Sequence, residues 1–491
     1  MLAYTGRRIL SFGVRASECC ADRGLWYTIA MTHLTRRSVL LGGIGAIARG
    51  QHLPRPNLLE VAAAYVRIAE ASREGGRQLW GRIGGSPAEH QSARLFSEQL
   101  QPYLGDVRLE RFEFRSHRPR RWTVRLNTGY QLGSAFPTPF NARFPDGVTT
   151  APIALVTPDS GWESVRGRWA FLPKSGTTSF NSVRDKQLYE RAISAGAAGL
   201  VFSIDTPPGR WQVVARIGKY WSIEDDRYPD RRRPIPCYAI DTDDANTVAE
   251  GIRGGASLNT ALEYESTDRL HAFNTVGFLP GNGKASTATL IINHLDGFFA
   301  GANDNASGVA TTVGLAARLA QITKNQRNTD FCFAGISAHH DAAAGTRAFV
   351  QADSRRFRRF GKVFLVEHTD AVDAPKDAEF GWERPLNNQR IVYLGSQGWP
   401  EIREAMPRLV RETGVMTVDP KMENTCAADL VAFCGELDTV TVLNTPPFYH
   451  TNYDTMDRIS RRGMEAAVYL HMRLFEVTGC IEKGTAEASK R

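Results

Sequence analysis

A histidine stands two residues before one aspartate and ten before another in INHLDGFFAGANDNASG, the stretch that holds His294, Asp296 and Asp304. Imidazole nitrogens and carboxylate oxygens are the donors that hold zinc and similar divalent cations. Gly301 and Gly308 bracket the loop and let its backbone turn tightly. Three more donor groups follow downstream. His339 and His340 come after TDFCFAGIS, Glu367 and His368 after KVFLV, and His450 after DTVTVLN, within TPPFYHTNYDT. Taken alone, an HxD pair is usually a hydrogen-bonded surface pair, a His–His dipeptide can be buried structure, and a histidine in a turn can cap it. Four strand ends that each finish in His, Asp or Glu form a joint pattern, and that pattern points to a metal site. His90, His117 and His271 do not share this placement.

The elements that must position these donors can be read from periodicity. Past Asn274, short apolar runs at 288–293, 329–336, 362–366 and 438–444 alternate with helical patterns at 307–322, 401–413 and 461–477. Short apolar strands alternating with helices predict a mostly parallel sheet covered on both faces. In such sheets chemistry gathers at the carboxyl ends of the strands. Upstream, residues 58–104 read as helical. Ser86-Pro87-Ala88-Glu89 supplies an N-cap, a first-turn proline and a capping-box glutamate. Two alternating, arginine-rich strands follow. Around Phe136 the texture changes to proline, glycine and short elements. A strand at 168–173, a helix at 185–197 and a strand at 199–203 then form a βαβ unit, and another strand and helix begin at 234. The expected fold is therefore α/β: a three-layer α/β/α domain with a mostly parallel mixed sheet, plus a smaller inserted α/β domain. The main domain is expected at 51–135 and 271–480, the insertion at 136–270, and a flexible tail at 481–491.

At 491 residues the chain is too long for one ordinary core, which agrees with that division. Its formal charge of +8 sits partly in the runs RPRR at 118–121 and DRRRP at 230–234, which read as solvated faces. No aromatic or motif support accompanies them, so nucleic acid is not an expected partner. Near the start, TRRSVLL followed by GGIGAIA has the paired arginine, short apolar stretch and small-residue end of a twin-arginine export signal, with Met31 as its start and residues 1–50 as the targeting segment. The apolar part spans roughly ten residues, too short for a bilayer, so no stable membrane span is expected. No CxxC pair occurs among the seven cysteines, which argues against a cysteine zinc site. Cys426 and Cys434 are near enough in sequence to bridge after export, though spacing alone does not establish the bond.

HLDG, GANDNASG, the strand ending near His339–His340 with GTRAF after it, and YHTNYDT resemble the di-zinc aminopeptidases of metallopeptidase family 28. That family includes bacterial leucyl aminopeptidases and, as relatives, glutamate carboxypeptidase and the transferrin receptor. The segment around 168–240 is similar to a protease-associated domain, a recurrent insertion in the family. The resemblance implies an exported, zinc-dependent exopeptidase that hydrolyses peptides or small amides with a water bound at a centre of two zinc ions. It implies that His294 binds one zinc while Asp296 holds its ring, that Asp304 bridges both metals, and that Glu367 completes the first metal, with His368 and Asp370 as alternatives. His450 would bind the second. The family carries Glu–Glu where this chain has His339 and His340. His340 would then replace a carboxylate ligand, and His339, with Asp296 in the catalytic set, would replace the general base. The alternative function is a non-catalytic or metal-poor relative that keeps the fold as a binding protein. A serine hydrolase is excluded because the chain has no GxSxG elbow.

Overall fold

The structure, a computed structural model, describes residues 53–488 except 75, 139–143, 174–182, 205, 207–208, 215–233, 353–358, 372–388, 396–397, 418–422, 425–427, 434, 445 and 447. The export motif, Cys426 and Cys434 therefore lie outside the described residues. Helices α1 (Leu58–Arg73) and α2 (Pro87–Leu100) lead into the long strand β1 (Asp106–Leu126). Strands β2 (Gly147–Leu155), β3 (Trp169–Leu172), β4 (Gly199–Ser203) and β5 (Cys237–Ile240) follow, with α3 (Val183–Ser194) and α4 (Thr242–Arg253) among them. The second long strand is β6 (Ser257–Leu279). Then come β7 (Ala288–His294), α5 (Gly308–Gln321), β8 (Phe331–Ile336), α6 (Ala344–Gln351), β9 (Phe360–Leu365), β10 (Gln389–Leu394), α7 (Pro400–Thr413), β11 (Asp438–Leu443) and α8 (Arg461–Val477).

Strands β11, β9, β7 and β8 lie side by side and parallel, so their carboxyl ends open on one edge. Strands β10 and β6 flank them antiparallel, which makes the sheet mixed but mostly parallel at its centre. Alternate side chains of the parallel strands face opposite layers, as a pleat requires. Leu290 and Ile292 share one buried cluster with Phe349 of α6 and Leu430, while Ile291 belongs to the other with Val309 of α5 and Phe475 of α8. Both faces are therefore covered, and the α/β/α layering read from the alternation is present.

The two arginine-rich strands expected upstream are one strand. β1 pairs antiparallel with β6 along its whole length, with irregularities between Phe114 and Ser116 and between Pro119 and Arg121. Pro119 has no N–H to give a ladder, and a break in register beside it removes the conflict. The segment between β1 and β6 carries β2 to β5, joined parallel from β2 through β5. At the other end, the stretch expected as a tail contains a helical turn, Thr485–Ala488, docked by a 2.7 Å bond from the Ala486 N–H to Glu476 Oε1. Among the described residues, no helix is long and apolar enough to cross a membrane, and Cys237, Cys332 and Cys480 are buried thiols.

Candidate metal centre

Parallel strands bring His294, His339–His340 and Glu367–His368 to one edge, and the loop after β11 adds His450. The loop 301–308 reaches across that edge and staples it. Asn305 Nδ2 donates to the His294 carbonyl at 3.2 Å, and Asn305 Oδ1 accepts from the His368 N–H at 3.1 Å. A Cβ at Gly308 would collide with Asn305 Oδ1 and the Val366 carbonyl, so only glycine permits this approach. Asp454 holds the loop from below, accepting from the N–H groups of Asn303 and Asp304 at 2.6 and 3.0 Å. Burial, despite those two bonds, pushes its pKa up to about 7. Ala338, His368 and His450 have positive φ values of 53°, 46° and 61°. Left-handed backbone at non-glycine residues costs on the order of 1–3 kcal/mol each and persists only where surrounding contacts over-determine it.

Arg82 is fully buried and encircles the same loop. Its Nε donates to the Leu295 carbonyl at 3.1 Å, Nη1 to Ala300 at 2.9 Å and Nη2 to Gly301 at 3.0 Å. Burial lowers its pKa, while the charges of Asp304, Asp454 and Asp296 oppose that. Replacing Arg82 by methionine leaves those carbonyls without their donors and the nearby carboxylates without their cation. We expect a stability loss on the order of 3–5 kcal/mol, read as a lower urea midpoint at unchanged slope.

Each histidine of the cluster spends its Nδ1 on an oxygen that can only accept. His294 Nδ1 meets the Asp296 carbonyl at 3.0 Å, and His339 Nδ1 meets Asp429 Oδ2 at 2.8 Å. His340 Nδ1 meets Asp296 Oδ2 at 2.8 Å, and His368 Nδ1 the Asn444 carbonyl at 3.1 Å. His450 Nδ1 meets the Val214 carbonyl at 3.2 Å. Nδ1 is therefore the protonated nitrogen in each neutral ring, and Nε2 carries the lone pair. Those lone pairs converge. His368, His294 and His450 bring Nε2 within 3.0, 3.2 and 3.0 Å of the Asp304 carboxylate. His340 Nε2 lies 3.2 Å from His450 Nε2 and 3.6 Å from Asp304 Oδ2. Glu367 Oε2 lies 3.6 Å from His294 Nε2.

Lone pairs crowded this closely repel unless a cation or protons lie among them. Buried His294 Nε2, Asp304 Oδ2 and Glu367 Oε2 make no hydrogen bond among the described residues. Donor sets close enough to share an ion include Asp304 with His340 and His450, His294 with Asp304 and His368, and His294 with His339 and Glu367. The residues therefore fit a metal: imidazole and carboxylate donors, with the second imidazole nitrogen tied to an acceptor as ligating histidines require. The electrostatics agree. Burial disfavours ionised Asp304, yet the charge of His368 and the neighbouring His294 and His340 rings hold it well below the usual carboxylate range. Burial likewise opposes charge on His294 and His340, but Asp296 and Asp304 hold both pKa values up. His339 goes the other way: burial lowers it in spite of Asp429.

The structure thus gathers His294, Asp304, His339, His340, Glu367 and His450, and of the two alternatives to Glu367 it adds His368. Asp370 turns away and accepts from the Ser460 N–H at the start of α8. Asp296 does more than hold the His294 ring: its carboxylate takes the N–H groups of His339 and His340 at 3.1 and 2.9 Å as well as the His340 ring. Glu89, expected to close a capping box on Ser86, instead accepts from the N–H groups of Gly85 and Ala338 and so supports the His339 turn. Arg118, from a run read as solvated, is 13% exposed and pairs with buried Asp341 beside His340 at 3.2 Å. Asp429, Arg82 and the Val214 carbonyl were not anticipated. A cleft of about 500 Å³ lined by Trp80, Arg118 and Arg121 includes none of the donors among its lining residues.

A three-layer α/β/α fold thus carries a cluster of possible metal donors at the carboxyl edge of its sheet. Residues 274–474 match the family described as peptidase family M28. The fold is similar to that of a zinc aminopeptidase from Bacillus subtilis, with TM-score 0.61 and 16% identity over 89% of this chain and 98% of that one. It is also similar to a peptidase M28 precursor from Shewanella amazonensis, with TM-score 0.60 and 16% identity over 86% of this chain and 95% of that one. An aminopeptidase from Aneurinibacillus sp. strain AM-1 gives TM-score 0.55 and 18% identity over 87% and 95% of the two chains. No curated protein matches.

Proposed function

We propose that this chain is an exported, zinc-dependent exopeptidase of aminopeptidase type, acting on peptides or small amides at a centre for two zinc ions. The observation that carries this reading is the convergence of buried imidazole Nε2 atoms on Asp304, with each Nδ1 already committed. In this reading Asp304 would serve both ions, His340 and His450 would hold one, and His294 and His368 would hold the other with Glu367 beside them. Two divalent cations supply Lewis-acid polarisation of the scissile carbonyl and acidify water. The chain's own part is proton handling and orientation. Asp429 fixes the His339 ring so that Nε2 can take the proton lost by the attacking water and return it to the leaving amine. Burial keeps that ring neutral, the state a base needs. The Phe298 ring, 4.4 Å from the His340 ring and 5.1 Å from the His450 ring, shields that side from water.

Purified protein grown with zinc is expected to hold metal by elemental analysis and to cleave members of a panel of aminoacyl substrates, with loss of activity in chelator and recovery on adding zinc. A metal content near zero would end this reading. Bound metal without turnover on any substrate would favour the binding-protein alternative, which the His339–His340 pair motivates. Export rests on TRRSVLL. Changing Arg36 and Arg37 together to lysine is expected to leave the protein in the cytoplasm, as seen by fractionation, and unchanged export would show the motif to be incidental.

A further inference from the structure

Four of the Nδ1 acceptors around the cluster lie close to the donor-bearing strands, but the fifth comes from elsewhere. The segment 211–214 belongs to the part of the chain carried between β1 and β6, yet it runs antiparallel to the turn that holds His450. Trp211 stacks on Tyr453, with ring centroids 4.0 Å apart and planes 22° from parallel. The Gln212 N–H donates to Asn452 Oδ1 at 2.9 Å, and the Asn452 N–H returns a bond to the Gln212 carbonyl at 3.2 Å. Val213 pairs with Thr451 as an antiparallel bridge. The Val214 N–H donates to the His450 carbonyl at 3.0 Å, and the Val214 carbonyl accepts from His450 Nδ1 at 3.2 Å.

We propose that the segment 211–214 is a positioning element for the His450 half of the metal centre, so that this half depends on a part of the chain outside the donor-bearing strands. This rests on the two-zinc reading above for its consequence, though not for its geometry. His450 has a left-handed backbone at φ 61°, which a short free turn would not hold unaided. The paired segment holds it from both sides of the peptide, through the carbonyl and through the ring. Tyr449, stacked 3.8 Å from the His450 ring, fixes the ring plane but gives no preference between the two nitrogens. The Val214 carbonyl gives that preference. It accepts only, so it selects the Nδ1–H tautomer and leaves the Nε2 lone pair 3.0 Å from Asp304 Oδ2. The other metal half has no such dependence, since His294 and His368 draw on Asp296 and Asn444.

The test loosens the segment without touching a donor. Trp211→Ala removes the stack, and Asn452→Ala removes the side-chain acceptor of the Gln212 N–H. Zinc titration of the full-length double variant is expected to weaken one of two ions by about 10–100-fold and leave the other within about twofold. His450→Ala should lose the same ion, and Trp211→Phe should behave as the parent. Two unchanged affinities would overturn the proposal, and so would equal loss of both ions, which marks a general structural role. A second readout needs no metal or turnover. In the metal-free protein at alkaline pH, nitrogen-15 histidine spectra should show His450 as the Nδ1–H tautomer, shifting to a mixture in the double variant. An Nε2–H tautomer in the parent would overturn the positioning role. A parent protein that takes up no zinc would instead end the two-zinc reading and leave the spectra to decide the geometry.

Discussion

Asp304→Ala is expected to lose both metals together and to lower kcat/KM by roughly a thousand-fold or more, measured by elemental analysis and steady-state kinetics. Asp304 meets the Nε2 atoms of imidazoles from both halves: His294 and His368 at Oδ1, His340 and His450 at Oδ2. Removing it leaves four imidazoles facing one another without the anion that offsets two cations. Asp296→Ala should act differently. It frees the His340 ring and the His339–His340 turn, so one metal weakens by about 10–100-fold while the other stays. Retention of two tight metals in Asp304→Ala would remove Asp304 from the centre. The donor set also predicts which metal is loose. In the two-zinc reading, with Asp304 and Glu367 as the facing carboxylates, two dications would stay under-compensated, and their mutual repulsion in a low dielectric would weaken the second ion. His340→Glu should tighten it, because a carboxylate then replaces a neutral ring.

His339→Ala is expected to leave the metals bound and to cut kcat by about 100- to 10,000-fold, the range ascribed to a positioned acid–base group. The sign of the pH effect follows from burial. A base works when deprotonated, and burial puts the His339 pKa below its ordinary value. Activity at saturating zinc should therefore persist below the pH at which an exposed imidazole would have failed, and fall only on further acidification. His294 and His340 impose a separate limit. Their raised pKa values mean that protons compete with metal as pH falls, so zinc affinity weakens in acid and binding releases protons. Titrating zinc at each pH separates the two effects. His339→Glu should keep or raise turnover, and a His339→Ala protein with parental kcat would show that the ring takes no proton in the reaction.

Much of this centre is legible before folding because the chain advertises it locally. ATLIIN, FCFAGI and DTVTVL are apolar runs of strand length, helices separate them, and that alternation makes a parallel sheet whose carboxyl ends share an edge. Any donor placed just after such a run must then arrive at that edge. The same logic placed His294, Asp304, His339, His340, Glu367 and His450 together. It left Glu367, His368 and Asp370 unresolved because they lie within four positions of one another. The backbone sends them to different places: Glu367 lies beside His294; His368, with φ 46°, meets Asp304; and Asp370 goes to the N-terminus of α8.

What the sequence by itself determined is thus the inventory of donors, the layering and the edge on which the donors meet. Tertiary structure alone decided how each donor is aimed. His339 depends on Asp429, ninety positions away, and His450 on the Val214 carbonyl, 236 positions away. The first partner is an ordinary aspartate in a short 3-10 turn, and the second is a main-chain oxygen that any residue would supply. Arg82 is the same case, since every bond it makes to the loop is to a carbonyl. Side-chain chemistry is written in residue types at short range. The tautomers and loop geometry here are set by backbone acceptors brought in by the fold, and a backbone acceptor has no residue identity to read.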